Sequence, residues 1–159
     1  MNVHLEIPIA ASADDVWQTL GREFAEIEDW STVVRTSRAI AADEVPDGMT
    51  VAPEAPVPGR ETTTRVTLVE VLTEYSDAGR RLTFEGVGLP PIVRRALNTN
   101  SVRATGDGSS VVVFDVQMDF RGPFGVLAPL MKRRMNKTFG DVQRDLKAHV
   151  ERGAADSRT

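Results

Sequence analysis

The chain holds two histidines and no cysteine, which narrows its chemistry before any fold is considered. Thiol nucleophiles, disulfides and thiolate metal sites are excluded. His4 and His149 stand at opposite ends of the sequence, without a His-x-x-x-His or Glu-x-x-His spacing to seat a metal on one helix face. Zinc and non-haem iron therefore have no ligand set. No Gly-x-Ser-x-Gly elbow occurs, and neither histidine has an evident Ser or Asp partner for nucleophilic catalysis. His4 falls on the polar side of a strand, and His149 is placed in the last helical turn, where an imidazolium complements the helix dipole.

Carboxylates come in small groups, each with an ordinary structural use. Asp14 and Asp15 sit in the first turn of a helix, where negative charge is favoured. Glu26, Glu28 and Asp29 crowd one short helix and read as solvated. Asp115 and Asp119 share one strand face, opposite Phe114 and Met118, and point to water. Gly86-Val-Gly88 lacks the third glycine of a dinucleotide loop and reads as a hinge at a cavity mouth. The cations of the final helix, Lys132, Arg133, Arg134, Lys137, Arg144 and Lys147, alternate with apolar residues. Such a helix can lie on an anionic membrane, but a solvated face with its apolar stripe buried is the simpler reading. No aromatic residues stand among these cations to stack nucleic-acid bases.

The elements that must position any site come next. A chain of 159 residues with 41% hydrophobic and 26% charged residues fits one soluble domain. A net charge of −4 supplies no global basic field for nucleic acid. The N-terminus lacks the basic and apolar regions of a signal peptide, and no apolar run approaches the ~20 residues that span a bilayer. A cytoplasmic protein without stable membrane insertion is expected.

Val3, Leu5, Ile7 and Ile9 alternate with polar residues, the period of a half-buried strand. Ser12 caps a helix that Gly21 ends, and a second short helix covers Glu23 to Glu28 before Trp30. Strands are expected over Val33 to Ala41, Thr62 to Tyr75, Arg81 to Val87, Arg94 to Thr105 and Ser109 to Arg121, with a short extended piece around Met49 to Val51. Gly106-Asp107-Gly108 marks a hairpin between the last two. From Pro123 to Arg152 the residues Phe124, Leu127, Met131, Met135, Phe139, Val142, Leu146 and Val150 recur every three or four positions, which predicts one long amphipathic helix. Residues 153–159 read as a polar tail. Strands grouped together and helices segregated from them define an α+β fold.

This order and its local wording resemble the START/Bet v 1-like superfamily, and within it the polyketide cyclase/dehydrase and lipid-transport (SRPBCC) group. The resemblance rests on the opening strand with Ser12-Ala13-Asp14-Asp15-Val16-Trp17, on the short helix reaching Trp30, and on Leu72-Thr73-Glu74-Tyr75 through Gly79-Arg80-Arg81-Leu82-Thr83-Phe84. The Gly106-Asp107-Gly108 turn and the C-terminal helix complete it, over roughly residues 2 to 150. It implies a helix-grip: a seven-stranded antiparallel sheet wrapped around the long helix, as one domain over residues 1–152, with a ligand cavity between.

Trp17, Phe24, Trp30, Phe84, Leu89, Val116, Met118, Phe120, Phe124, Leu127, Met131 and Met135 are the candidates to line that cavity. Arg65, Tyr75, Asn98 and Asn100 are the polar candidates to orient a ligand, subject to strand phase, since a slip of one residue reverses the face. The leading expectation is binding or transport of a hydrophobic small molecule (lipid-, polyketide- or quinone-like) without cofactor or covalent chemistry. A cyclase or dehydratase in the same cavity, with Tyr75 and Arg65 moving protons, is the alternative. A protein-interaction module with a filled interior is the third.

Overall fold

The computed structural model describes residues 1–158. Seven antiparallel strands form one sheet: β1 (Asn2–Ile9), β2 (Thr36–Ala39), β3 (Gly59–Thr63), β4 (Thr67–Ser76), β5 (Arg81–Val87), β6 (Val93–Gly106) and β7 (Ser109–Phe120), in the order β1-β7-β6-β5-β4-β3-β2. Two helices complete the fold, α1 (Ala13–Trp17) and α2 (Ala128–Asp156). The seven-stranded sheet and long C-terminal helix expected from the sequence are present.

Between β1 and β2 the chain makes a compact bracket. The Ser12 hydroxyl accepts the Asp15 amide at 3.1 Å and starts α1. A π-helical turn over Gln18–Arg22 follows, then 3-10 turns over Phe24–Asp29 that kink at Glu26. Gly21 is required here: a Cβ at that position would lie 2.5 Å from the Trp17 ring. The bracket buries Val16, Trp17, Leu20, Phe24 and Ile27.

Several boundaries differ from the sequence reading. The expected strand Thr62 to Tyr75 is two strands, joined by a tight turn at Thr64–Val66 in which the Thr64 amide donates to the Val66 carbonyl at 3.0 Å. No Gly, Pro, Asn or Asp marks that turn, so the usual signal is missing. Residues 49–51 are not a strand, and Val33 to Ala41 is extended as a strand only over Thr36–Ala39.

The long helix begins at Ala128, and Gly122–Leu127 is a separate 3-10 segment. Pro129 explains the break: inside a continuous helix its ring would clash with the carbonyl of Gly125. At the other end α2 runs to Asp156, past the expected tail boundary, so His149 lies well inside the helix. Thr159 lies outside the described residues.

Candidate apolar cavity

The inner face of the sheet follows from register. Leu72 pairs with Phe84, Phe84 with Asn98, and Asn98 with Val116, so these four share one face across β4 to β7. Leu82, Asn100 and Phe114 form the next row. A bulge between Leu72 and Glu74 adds one residue, Thr73, which turns Tyr75 to the same face as Leu72. That bulge decides the phase that sequence alone left open.

α2 covers this face unevenly. Along its C-terminal half Val142, Leu146 and Val150 are buried, and Gln143 Nε2 donates to the Leu5 carbonyl at 3.0 Å. Phe139 meets Phe114 edge-on with ring centroids 6.4 Å apart. Toward its N-terminus Met135 and Met131 are only half-buried, and Leu127 and Phe124 are exposed. The stripe therefore leaves the sheet as it approaches the 3-10 segment.

Under that raised end lies a hollow of about 220 Å³, bounded by Leu68, Glu70, Phe84, Gly86, Leu89, Pro90, Val93, Ala96, Leu97, Asn98, Val116, Met118, Met131, Met135 and Phe139. Gly86 helps keep it open, because a Cβ there would press on Leu89 at 3.2 Å. Gly88, with φ of +82°, turns the chain into Leu89-Pro90, and the exposed Pro90 marks the side open to solvent.

Two polar features belong to this wall. Asn98 is 5% exposed and its Oδ1 has no hydrogen-bond partner among the described residues. An unpaired buried acceptor costs about 1–3 kcal/mol, so its presence beside an apolar hollow asks for a donor from elsewhere. Glu70 is the second. It accepts a 2.6 Å hydrogen bond from Arg60 Nε. The Arg60 guanidinium is buried, lies 3.9 Å above the Phe24 ring centroid, and donates to the Phe24 carbonyl at 2.8 Å. Arg60 and Glu70 face each other in the β3–β4 register. The sequence reading missed both because it ran through the turn that pairs them.

Of the expected lining residues, Phe84, Leu89, Asn98, Val116, Met118, Met131 and Met135 bound the hollow. The others stand elsewhere. Trp17 is fully buried at the opposite end, its ring 5.4 Å from that of Tyr75 and its Nε1 donating to Asp77 at 2.9 Å. Tyr75 belongs to that packing, where burial pushes its phenol up to about 12. Asp77, held by Arg22 and Trp17, stays below the usual carboxylate range.

Phe24 packs against both Arg60 and Phe84, which also lie against each other. Trp30 packs on the core from the bracket, its Nε1 buried without a partner among the described residues. Asn100 is buried one row from the hollow, and its Oδ1 also lacks a partner among the described residues. Arg65 is exposed in the β3–β4 turn. Phe120 is half-buried opposite Val93, and Phe124 and Leu127 face solvent on the 3-10 segment.

The remaining reactive groups are on the outside. His4 meets Asp115 at 2.5 Å and Glu6 at 3.1 Å on the outer face, and the Asp115 hydrogen bond, then that to Glu6, raises the imidazole above its ordinary value. Asp14 pairs with Arg80 at 2.8 Å. Among the described residues no group of His, Asp and Glu is arranged to hold a metal, and no helix is long and apolar enough to cross a membrane.

A sheet gripping a C-terminal helix, with an apolar hollow under one end of it, defines the START/Bet v 1-like class. Within that class, the sequence profile of the polyketide cyclase/dehydrase and lipid transport family matches residues 1–151, and the chain belongs to that family. Solved structures agree in fold. A START superfamily protein from Mycobacterium smegmatis aligns with a TM-score of 0.74 at 13% identity, covering 95% of this chain and 97% of that one. The Zhui aromatase/cyclase from a Streptomyces species gives 0.75 at 14% identity over 96% and 94% of the two chains. Norcoclaurine synthase from Thalictrum flavum, solved with dopamine and hydroxybenzaldehyde, gives 0.71 at 16% identity over 94% and 86%. No protein of curated function matches the sequence.

Proposed function

We propose that this chain binds a compact apolar small molecule bearing a hydroxyl or N–H group, holding or carrying it in the hollow without covalent chemistry. The observation that carries the reading is the Asn98 Oδ1, without a partner among the described residues, in a wall that is apolar apart from it and Glu70 and that includes three methionines. Methionine side chains adapt to varied shapes, which suits a site that receives a guest. A cavity of ~150 Å³ takes a benzene ring, so a hollow of about 220 Å³ has room for a one- or two-ring head group. A longer tail would leave past Pro90. Binding would draw on removal of ligand surface from water, at roughly 25 cal/mol per Å² before association costs, with one hydrogen bond fixing the pose.

The test is organic extraction of the purified protein followed by mass spectrometry. One apolar compound carrying a donor group, near one per chain, is expected. Extracts identical to those of the Ala96→Phe chain, whose hollow is filled, would contradict the reading.

One observation supports a second reading, the cyclase or dehydratase. Glu70 presents a carboxylate at the wall, held by buried Arg60, and a positioned carboxylate can move a proton on an enolisable substrate. Arg65 and Tyr75, the earlier candidates for that work, stand away from the hollow. Turnover of a polyketide-like substrate that falls at least about a hundredfold in Glu70→Gln, with binding retained, would favour catalysis.

A further inference from the structure

The rim of the hollow carries a surface that ligand binding inside does not explain. From Phe120 to Gly140 the sequence has five cations, Arg121, Lys132, Arg133, Arg134 and Lys137, and no acidic residue. The rest of the chain has fourteen cations against 23 acids in the full sequence, so the molecule is strongly polarised. Arg121, Lys132, Arg133 and Arg134 make no ion pair among the described residues, while Lys137 meets Asp141 at 3.1 Å.

The same segment holds four of the five exposed large apolar side chains among the described residues. Val126 is 78% exposed and Leu130 66%, with Phe124 and Leu127 beside them on the 3-10 segment. Four large apolar side chains left in water within seven residues are unusual for a solitary soluble domain. Leu130 and Met131 line a shallow depression with Arg133, Arg134 and Lys137, and Met131 also bounds the hollow. The patch and the cavity are thus continuous through one side chain.

We infer that this end of the molecule docks reversibly on an anionic phospholipid bilayer, the 3-10 segment entering the headgroup layer and the cations meeting lipid phosphates. Apolar residues flanked by Lys and Arg are what an interfacial segment requires. The charge polarity then favours this orientation, because the rest of the chain carries a net negative charge that such a membrane repels. A symmetric pair of chains joined through this patch would set its cations face to face, which disfavours a second copy as the occupant. Docking would bring the rim at Met131 to the lipid surface. The inference stands apart from the ligand reading, since it needs only the surface.

The experiment is co-sedimentation of the full chain with vesicles of phosphatidylcholine alone or mixed with phosphatidylglycerol. Binding to the mixed vesicles is expected, weakening as salt rises from about 0.05 to about 0.5 M. At roughly a fivefold effect per basic residue, Arg133→Gln with Arg134→Gln should lower partitioning by about 30-fold. Removing two exposed cations elsewhere, by Arg81→Gln with Arg103→Gln, should change it little. Val126→Ser with Leu130→Ser, at exposed positions that the fold does not need, should also release the protein. The Ala96→Phe chain should still bind, so loss of ligand binding and loss of docking are separable.

The inference is overturned by equal partitioning to neutral vesicles, by no binding to either, or by equal loss in both arginine pairs. A concentration-dependent dimer abolished by the Val126→Ser and Leu130→Ser changes, without vesicle binding, would assign the patch to self-association instead.

Discussion

One sheet and one helix make two different interiors. At the end nearest α1, Leu72, Tyr75, Leu82, Val112 and Phe114 meet Trp17, Val142, Leu146 and Val150, and all are at most 9% exposed. At the other end Phe84, Ala96, Asn98, Val116 and Met118 look across a hollow toward Phe139, Met135 and Met131. The materials are similar, but the packing is not. The closed half fixes the helix and sets stability, while the open half is held apart by elements that stop short of each other. Pro129 interrupts the helical stripe, and Gly86 withholds a side chain where Leu89 would otherwise be pushed. A cavity is thus built by ending close packing early rather than by a special set of residues.

Mutations at matched positions test that contrast most strongly. Leu146→Ala, in the closed half, should cost about 2–5 kcal/mol in chemical denaturation, because its surroundings cannot collapse onto the gap. Met135→Ala should cost under about 1 kcal/mol, since that side chain already borders empty space. Equal losses would erase the distinction between the halves.

Filling the open half gives the next effect. Ala96→Phe should leave stability within about 1 kcal/mol of the parent, because the ring enters existing space. The affinity for an apolar fluorophore should fall by more than about tenfold. Asn98→Leu removes the unpaired acceptor with little change in volume, so the empty protein should gain about 1 kcal/mol while losing preference for hydroxylated over plain aromatic guests. A destabilised Asn98→Leu chain would mean that this oxygen is satisfied in the ligand-free protein.

The smallest effect is a titration in the closed half. Tyr75 is the only tyrosine, so absorbance near 295 nm reports it alone. Burial raises its phenol to about 12, above the ordinary value of 10.0. The protonated form is the one the fold favours, so its contribution is present below pH 10 and is lost as pH rises toward 12. A midpoint near 10 would mean that the Trp17–Tyr75 end is open to water.

The sequence declared its elements where periodicity was strong and its site only where geometry was simple. Alternation in β1 and β7, the glycine hairpin between β6 and β7, and the apolar spacing of α2 follow directly from side-chain period. The β3–β4 turn was silent because Thr64-Arg65-Val66 contains no turn residue, and missing it hid the Arg60–Glu70 pair. Trp17 and Phe84 are both large and apolar, yet one fills the closed end and the other walls the hollow. That difference depends on where the helix lifts off the sheet. Composition and spacing describe faces, whereas a void is set by distances between them.

The claim that the open half receives a guest is tested most directly by methionine-methyl NMR during titration with 2-naphthol. Of the five methionines, Met118, Met131 and Met135 bound the hollow, whereas Met49 lies in the loop before β3. Saturable shifts of those three resonances, with Met49 unmoved and the response absent in Ala96→Phe, are the expected result. Shifts that never saturate, or that involve Met49 equally, would contradict it.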